Sequence, residues 1–216
     1  MKDRLRIMPD WDQIFQEKGH VFTEPHPEME GLVKLFHDAS VKNILDVGCG
    51  TGRHLVYLAK HGFTMFGFDV SEHAIQMARK WLHEEGLSAD LLQHGMESIF
   101  PYADNTFDAI ISVQVIHHNR IREIRNAVAE IERVLSPRGY VFITVPILSQ
   151  GPIDPEDDWH LNEIEPGTYI PQRGPESGVY HHYFTEEELL ELFSSFRVIK
   201  LTIDEIGHRC LLGKRR

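Results

Sequence analysis

The chain has 216 residues, of which 42% are hydrophobic and 25% are charged, as is ordinary for one soluble globular domain with a single core. No apolar run approaches the ~18 residues that a membrane span needs, so we expect no membrane partner. The formal net charge is −11, and because an acidic surface repels phosphate backbones, nucleic acid is not an expected partner.

Cysteine usage and the N-terminus indicate the compartment. The two cysteines, Cys49 and Cys210, are far apart, and neither belongs to a CxxC pair. The first residues are basic but lead into Pro9-Asp10-Trp11-Asp12 rather than an apolar run, so we expect no secretory signal. Both features predict a reducing, cytoplasmic location.

Residues 1–40 are predicted to form an N-terminal cap segment. Residues 1–27 lack clear periodicity, although Trp11 and Phe15 are apolar enough to dock on the remainder of the chain. Residues 28–38 place apolar side chains at helical spacing and predict a short helix.

After residue 40, predicted strands alternate with predicted helices. Alternation at this spacing is typical of βαβ units and predicts an α/β fold with a mostly parallel sheet. Two final strands are expected to turn at Gly207. The predicted strands are 41–47, 64–68, 89–93, 107–113, 140–145, 196–203 and 209–212, and the predicted helices lie near 52–61, after Ser71, near 121–135 and after Thr185.

Residues 148–180 interrupt this rhythm. They contain five prolines, several glycines and the acidic run Glu156-Asp157-Asp158, with Trp159 in the middle. A long irregular insert in a compact domain is usually either a functional lid or a disordered loop. We expect a lid over a ligand site, with a disordered surface loop as the alternative.

The segment Ile44 to Gly52 carries the strongest functional signal. A buried strand leads into a glycine-rich turn and then into a helix. Glycines permit positive φ angles and a close approach of ligand to backbone, and the helix N-terminus offers free N–H groups. Asp69 ends the next strand, where an acid typically accepts hydrogen bonds from a ribose. These features predict a nucleoside-containing ligand.

Two details of this turn narrow the choice of ligand. The glycines are Gly48, Gly50 and Gly52, followed by Arg53, so the third glycine of the dinucleotide fingerprint GxGxxG is missing. Asp46 would repel a pyrophosphate but suits the cationic amino group of a methionine moiety. An NAD(P)-dependent oxidoreductase therefore remains as a disfavoured alternative.

At these residues the sequence resembles the class I S-adenosylmethionine (SAM)-dependent methyltransferases. The matching segments are 46–52, 67–71, 95–108 and 135–139, so the resemblance covers 41–146 well and 183–212 loosely. It implies a single domain over residues 1–216 with a Rossmann-like, doubly wound, seven-stranded sheet. That sheet would be mostly parallel with an antiparallel C-terminal strand and helices on both faces.

The resemblance also implies cofactor-binding residues. Asp46 and the turn at Gly48, Cys49 and Gly50 would hold the methionine end of SAM, and Asp69 would bind the ribose.

Further residues would contact the adenine and the sulfonium. Val70 would pack on the adenine, and Gln114 would line the floor under the sulfonium. Met96 stands where many members carry an acid for the adenine amino group, so recognition there would fall to Met96 packing and the backbone N–H of Glu97.

Histidine pairs follow the fourth strand and the insert. His118 and His182 are the candidates for catalytic or acceptor contact, because neutral imidazole can accept a proton near pH 7. Neighbouring side chains alternate in direction, so one of each pair is expected to face elsewhere. With Asp157, Asp158 and His160 a divalent ion is conceivable, but we assign no metal ligands.

The predicted function is transfer of the SAM methyl group to a small-molecule acceptor by in-line displacement, with SAM as the cofactor. The sequence leaves open whether the acceptor atom is oxygen, nitrogen or sulfur, and it does not predict the oligomeric state. An RNA or protein methyltransferase and a noncatalytic SAM-binding protein are the alternatives.

Overall fold

The computed structural model describes residues 11–148, 159–174 and 176–216. A large sheet lies between helices, and a smaller sheet lies beside it. The helices are α1 (Trp11–Lys18), α2 (Met29–Asp38), α3 (Arg53–Lys60), α4 (Glu72–Glu84), α5 (Ile121–Val134) and α6 (Glu186–Leu192). The strands are β1 (Asn43–Val47), β2 (Thr64–Asp69), β3 (Ala89–Gln93), β4 (Phe107–Val113), β5 (Leu135–Pro146), β6 (Leu161–Glu165), β7 (Thr168–Pro171), β8 (His181–His182), β9 (Phe196–Ile203) and β10 (His208–Arg215).

The large sheet has seven strands in the order β3-β2-β1-β4-β5-β10-β9. Strands β1 to β5 pair in parallel, and β10 runs antiparallel to both of its neighbours. This confirms the predicted seven-stranded, mostly parallel sheet with an antiparallel C-terminal strand. The strand order reverses between β1 and β4, and open α/β sheets bind ligands at the carboxyl ends of the strands beside such a reversal.

Hydrophobic cores form on both faces of this sheet. Successive strand residues point to opposite sides, so Ile44 packs in one core and its neighbour Leu45 in the other. The first core buries side chains of α2, α3 and α4, and the second buries side chains of α5 and α6. Helices therefore cover both faces, as expected.

Two helices begin at the predicted capping residues. Ser71 Oγ accepts a hydrogen bond from Ala74 N at 3.0 Å, and Thr185 Oγ1 accepts one from Glu188 N at 3.0 Å. Such caps satisfy backbone N–H groups that have no partner within the helix. No helix in the described part of the chain is both long and apolar enough to span a membrane.

Two segments expected to be irregular contain regular structure. Trp11–Lys18 is helical, although residues 1–27 show no clear periodicity. In the insert, β6 and β7 form a hairpin that turns at Gly167, and β8 adds a third antiparallel strand. The acidic run Glu156-Asp157-Asp158 lies outside the described residues, so the lid prediction stays a prediction.

Candidate active site

A cavity of about 510 Å³ opens at the carboxyl ends of β1, β2 and β4. That volume falls within the usual range of small-molecule sites, roughly 300–1,000 Å³. The glycine turn and the end of β2 line one end of the cavity, while α1, the residues after β4 and the segment 176–183 line the other.

The glycine turn is tied to β2 by backbone hydrogen bonds. Gly48 N and Cys49 N both donate to Phe68 O, at 2.9 and 3.0 Å. Gly48 has a φ of +71°, and a Cβ at this position would lie 2.3 Å from Cγ1 of Val115. Only glycine satisfies both the backbone conformation and this close approach.

Asp69 is fixed at the end of β2 by two backbone N–H groups. Gly50 N donates to its Oδ2 at 2.8 Å and Ser71 N to its Oδ1 at 2.9 Å. Burial raises the pKa of this carboxyl, and the backbone hydrogen bonds oppose that shift. Each carboxylate oxygen keeps a further acceptor position, so the group can receive hydrogen bonds from adjacent ligand hydroxyls.

Asp46 lies one layer behind the cavity wall and does not itself line the cavity. Only 1% of the residue is exposed, and its Oδ2 has no hydrogen-bond partner among the described residues. Burial raises the pKa of Asp46 to about 7. A buried acceptor without a partner is costly, so this atom is suited to a cationic ligand group.

The buried ring of His54 lies beside Asp46. Its Nε2 accepts a hydrogen bond from His26 N at 3.2 Å, so the ring proton belongs on Nδ1, 4.0 Å from Asp46 Oδ2. Burial holds the pKa of His54 well below its ordinary value. The His54 ring is therefore neutral and does not provide a positive charge to balance an ionised Asp46.

Gln114 directly follows β4 and has a left-handed conformation, with a φ of +60°. Its backbone N and its Nε2 each donate to Thr144 Oγ1 at 3.0 Å. A non-glycine residue in this region of φ carries backbone strain, which these hydrogen bonds help to offset. Gln114 lines the cavity, and the residue after it, Val115, closes over Gly48.

The residues predicted to contact the adenine also lie at the cavity. Val70, Met96 and Glu97 all line the cavity, and Val70 is 52% exposed. Cys49 lines it too, but burial raises the pKa of this thiol well above its ordinary value, which does not favour a nucleophile. Of the nine predicted cofactor residues, all except Asp46 line the cavity.

Helix α1 covers part of the cavity. Asp12 Oδ1 accepts hydrogen bonds from Ser71 Oγ at 2.7 Å and His73 N at 2.8 Å, which ties α1 to the start of α4. A Cβ on Gly50 would lie 3.5 Å from Cζ of Phe15, so this ring covers the glycine turn. Sequence reasoning missed Asp12, because its partners are about 60 residues away.

Three histidines meet at the other end of the cavity. The ring centroids of His117 and His118 are 3.8 Å apart, and those of His118 and His181 are 4.8 Å apart. His118 Nδ1 faces Tyr180 O at 3.2 Å, which leaves Nε2 as an acceptor. Burial lowers the pKa of His118 to about 4, so this ring is neutral at physiological pH.

The prediction for His182 is corrected. This side chain is fully buried outside the cavity, with Nδ1 2.7 Å from Thr168 Oγ1 and Nε2 3.2 Å from Glu188 Oε1. Because side chains alternate along a strand, the neighbouring His181 faces the cavity instead. His181 Nε2 lies 2.7 Å from Glu176 Oε2. The sequence signalled that one histidine of each pair would face elsewhere, but not which one.

Aromatic side chains surround the histidines. The Trp11 ring stands edge-on to His118 at 4.9 Å between centroids, and Trp159 stands edge-on to His181 at 5.6 Å. Both tryptophans line the cavity, as does Tyr183. His160, which was considered above together with a divalent ion, does not line the cavity. Asp157 and Asp158 lie outside the described residues.

Comparison with known proteins identifies the family. Residues 45–143 match the family described as "Methyltransferase domain". The ubiquinone biosynthesis O-methyltransferase of Thiobacillus denitrificans is 29% identical over 140 residues, which cover 60% of this chain and 60% of that protein. The matched region spans 46–60% of the length of three such relatives, so the chain corresponds to only part of them.

Solved structures share the fold. A SAM-dependent methyltransferase from Methanosarcina mazei has a TM-score of 0.73 at 22% identity, covering 89% of this chain and 98% of that one. The 1,6-didemethyltoxoflavin-N1-methyltransferase of Burkholderia thailandensis has a TM-score of 0.65 at 18% identity, covering 88% of this chain and 78% of that one. At this level of identity the likeness establishes the fold. Residues 45–143 are a methyltransferase domain, and the fold around them is that of the SAM-dependent methyltransferases.

Proposed function

We propose that the chain binds SAM in the 510 Å³ cavity and transfers its methyl group to a small-molecule acceptor. One observation carries the proposal: one cavity joins two chemically different ends. The glycine turn and Asp69 form a nucleoside end, while histidine and aromatic side chains form the end proposed for the methyl acceptor.

Each predicted residue at or near the nucleoside end has a proposed role in binding SAM. Asp69 would accept hydrogen bonds from the ribose hydroxyls, and the unpartnered Oδ2 of Asp46 would compensate the amino group. Gly48 and Gly50 would let the ligand approach the backbone, and Val70 and Met96 would flank the adenine. Gln114 would lie under the sulfonium.

The end lined by histidine and aromatic side chains is proposed to hold the methyl acceptor. When bound, SAM supplies an already activated methyl group, so the chain chiefly needs to hold the acceptor atom in line with it. Such positioning can lower a barrier by roughly 7–11 kcal/mol. His118 lines this end of the cavity and is proposed to contact the acceptor; with a pKa of about 4 its ring is neutral and only a weak base, so its contribution would be contact and orientation of the acceptor.

The described walls of the cavity favour a small acceptor over a macromolecule. Helix α1 covers the glycine turn, and the Trp11 and Trp159 rings stand edge-on to His118 and His181, so these side chains narrow the histidine end of the cavity. The net charge of −11 opposes RNA. One similar protein is named for ubiquinone biosynthesis, and another is named for 1,6-didemethyltoxoflavin and holds this small molecule in its structure.

The proposal extends to the domain organisation and the cellular location. We propose one domain in which the cap segment 1–40 and the insert 148–180 both serve the acceptor end. A cytoplasmic location is supported by Cys49 and Cys210, which are both free and buried.

The first test is ligand binding. S-adenosylhomocysteine (SAH) should raise the melting temperature by mass action on the native state. The absence of any shift at millimolar SAM or SAH would refute the proposal.

The second test is a screen with methyl-labelled SAM against thiol, amine, phenol, carboxylate and RNA acceptors. Transfer to a small acceptor is the expected result. Transfer confined to RNA or protein would overturn the acceptor class. SAH binding without transfer to any acceptor would instead favour the noncatalytic SAM-binding alternative.

A further inference from the structure

The histidine cluster at the acceptor end has a property that methyl transfer does not require. One ring nitrogen from each of His117, His118 and His181 lies within 4.8 Å of those from the other two. All three side chains are buried, with at most 8% of each residue exposed. Three buried imidazoles at this separation need a common explanation, because unpartnered buried polar groups are costly.

Backbone carbonyls set the tautomers of two of these rings. Nδ1 of His118 faces Tyr180 O and Nδ1 of His181 faces Val179 O, each at 3.2 Å. A carbonyl oxygen only accepts, so Nδ1 of His118 carries the ring proton and its Nε2 is left with a lone pair. His181 has a carbonyl placed in the same way, and its Nε2 would gain a lone pair when a metal ion displaces the proton that it shares with Glu176. Metal-binding histidines usually have this arrangement, in which the second nitrogen donates to a carbonyl or carboxylate.

The remaining contacts add a carboxylate and a ring nitrogen without a partner. Nε2 of His181 forms a 2.7 Å hydrogen bond with Oε2 of Glu176, and a metal ion binding at these atoms would displace the shared proton. His117 is 2% exposed, and its Nδ1 has no hydrogen-bond partner in the described part of the chain. One ring nitrogen from each of the three histidines therefore lies in the same space, and the Nδ1 of His117 has no hydrogen-bond partner among the described residues.

We infer that His117, His118 and His181 bind a divalent transition-metal ion, zinc in the first place, with Glu176 as the oxygen ligand. Three imidazoles and a carboxylate suit Zn²⁺ and related borderline ions rather than Mg²⁺ or Ca²⁺, which prefer oxygen ligands throughout. Zn–N bonds of about 2.0–2.1 Å would draw the rings inward from their present spread.

The site lies at the acceptor end of the cavity, beside Trp11 and Trp159. An ion there would be accessible to an oxygen, nitrogen or sulfur atom of a small molecule in the cavity. The inference rests on the histidine geometry alone and does not depend on SAM binding.

The test is metal binding by the full chain. Protein stripped with a chelator is titrated with Zn²⁺ by calorimetry, and metal content is measured after dialysis. Co²⁺ replaces Zn²⁺ in a parallel titration, because its visible absorption reports the number and geometry of ligands. The expected result is one ion per chain with a low-coordinate Co²⁺ spectrum.

Variants identify the ligands. His118→Gln and His181→Gln should each weaken Zn²⁺ binding by more than about 100-fold, and Glu176→Gln by about 10–100-fold. His83→Gln, at an exposed position near the end of α4, is the matched control and should bind like the parent. Circular dichroism and melting temperature establish that each variant is folded.

Two outcomes overturn the inference: no stoichiometric Zn²⁺ or Co²⁺ binding by the parent protein, or equal affinity in His118→Gln, His181→Gln and His83→Gln. Unchanged affinity in Glu176→Gln alone would refute its place among the ligands. SAH binding is measured separately on the same samples. Failure of the metal site and failure of the proposed function are thereby distinguishable.

Discussion

The proposed role of Asp46 predicts that the affinity for SAM or SAH depends on pH, in a direction that follows from the burial of its carboxyl group. Its carboxyl group is 1% exposed, has an unpartnered Oδ2, and has as its nearest base the neutral ring of His54 at 4.0 Å. Burial raises the pKa of Asp46 to about 7; Arg53 lowers it and Asp69 raises it further. A bound ammonium group would favour the ionised form, so ligand binding should release a proton below about pH 7.

The size of the effect follows from the pKa. With a pKa of about 7, only about 3% of Asp46 is ionised at about pH 5.5. If the ligand binds only the carboxylate form, affinity at that pH is about 30-fold weaker than its plateau value. Affinity therefore rises with pH through about 7 and levels off until the ligand's own ammonium group loses its proton.

The unliganded protein should show the opposite trend in stability. The folded pKa of Asp46 lies above the ordinary value of 3.8, so between about pH 4 and 7 the native state holds a proton that the unfolded state has released. Stability from this group falls as pH rises through that window, by up to about 4 kcal/mol. Asp46→Asn removes this dependence because the amide does not ionise.

Calorimetric titration with SAH from about pH 5.5 to 8 is the assay, repeated in buffers of different ionisation enthalpy to count released protons. The parent should show the rise in affinity with proton release, and Asp46→Asn should bind more weakly with a flat profile. Asp90→Asn, an exposed acid on β3, is the control and should retain the parent profile. A flat profile in the parent would mean that Asp46 is a structural residue behind the wall and does not compensate the ligand's charge.

Three further predictions concern the cofactor end. Asp69→Ala should weaken SAH binding by about 1–3 kcal/mol in calorimetry through lost ribose hydrogen bonds, and unchanged affinity would place the ribose elsewhere. Gly48→Ala should lower the melting temperature and SAH affinity, because its Cβ would lie 2.3 Å from Val115 at a φ of +71°; Gly31→Ala, where a Cβ meets nothing within 4 Å, should have neither effect. Met96→Asp should bind SAH at least as well as the parent, because the acid supplies an acceptor for the adenine amino group; loss of binding by a folded variant would show that Met96 packs against another group.

The strand and helix pattern was predictable because it depends on short-range periodicity. Strands β3 and β4 lie at the predicted residues, and Ser71 caps α4 as expected. Strand β5 begins at Leu135 rather than near 140, because Leu135 already pairs with Phe107 before a register shift. Helix α1 was missed because eight residues are too few for periodicity to stand out, and its position depends on the distant Ser71 and His73.

The two ends of the site differ in how far sequence could predict them. The cofactor end lies on the first strands and turns of the sheet, where motif spacing fixes geometry, and eight of its nine predicted residues line the cavity. The acceptor end depends on the register of β8, which has only two residues. Tyr169 pairs with His181 and Thr168 with His182, so a shift of one residue would exchange the histidine that faces the cavity. No periodicity within two residues can specify that choice.

A continuous set of contacts joins the two ends of the cavity. Asp69 Oδ1 accepts from Ser71 N, and Ser71 Oγ donates to Asp12 Oδ1 on α1. The residue before Asp12, Trp11, stands edge-on to His118. The carboxylate proposed for the ribose and the imidazole proposed for the acceptor are therefore linked through one short helix. Because α1 also places Phe15 over Gly50, any movement of this helix away from Ser71 would open the cofactor end and the acceptor end together.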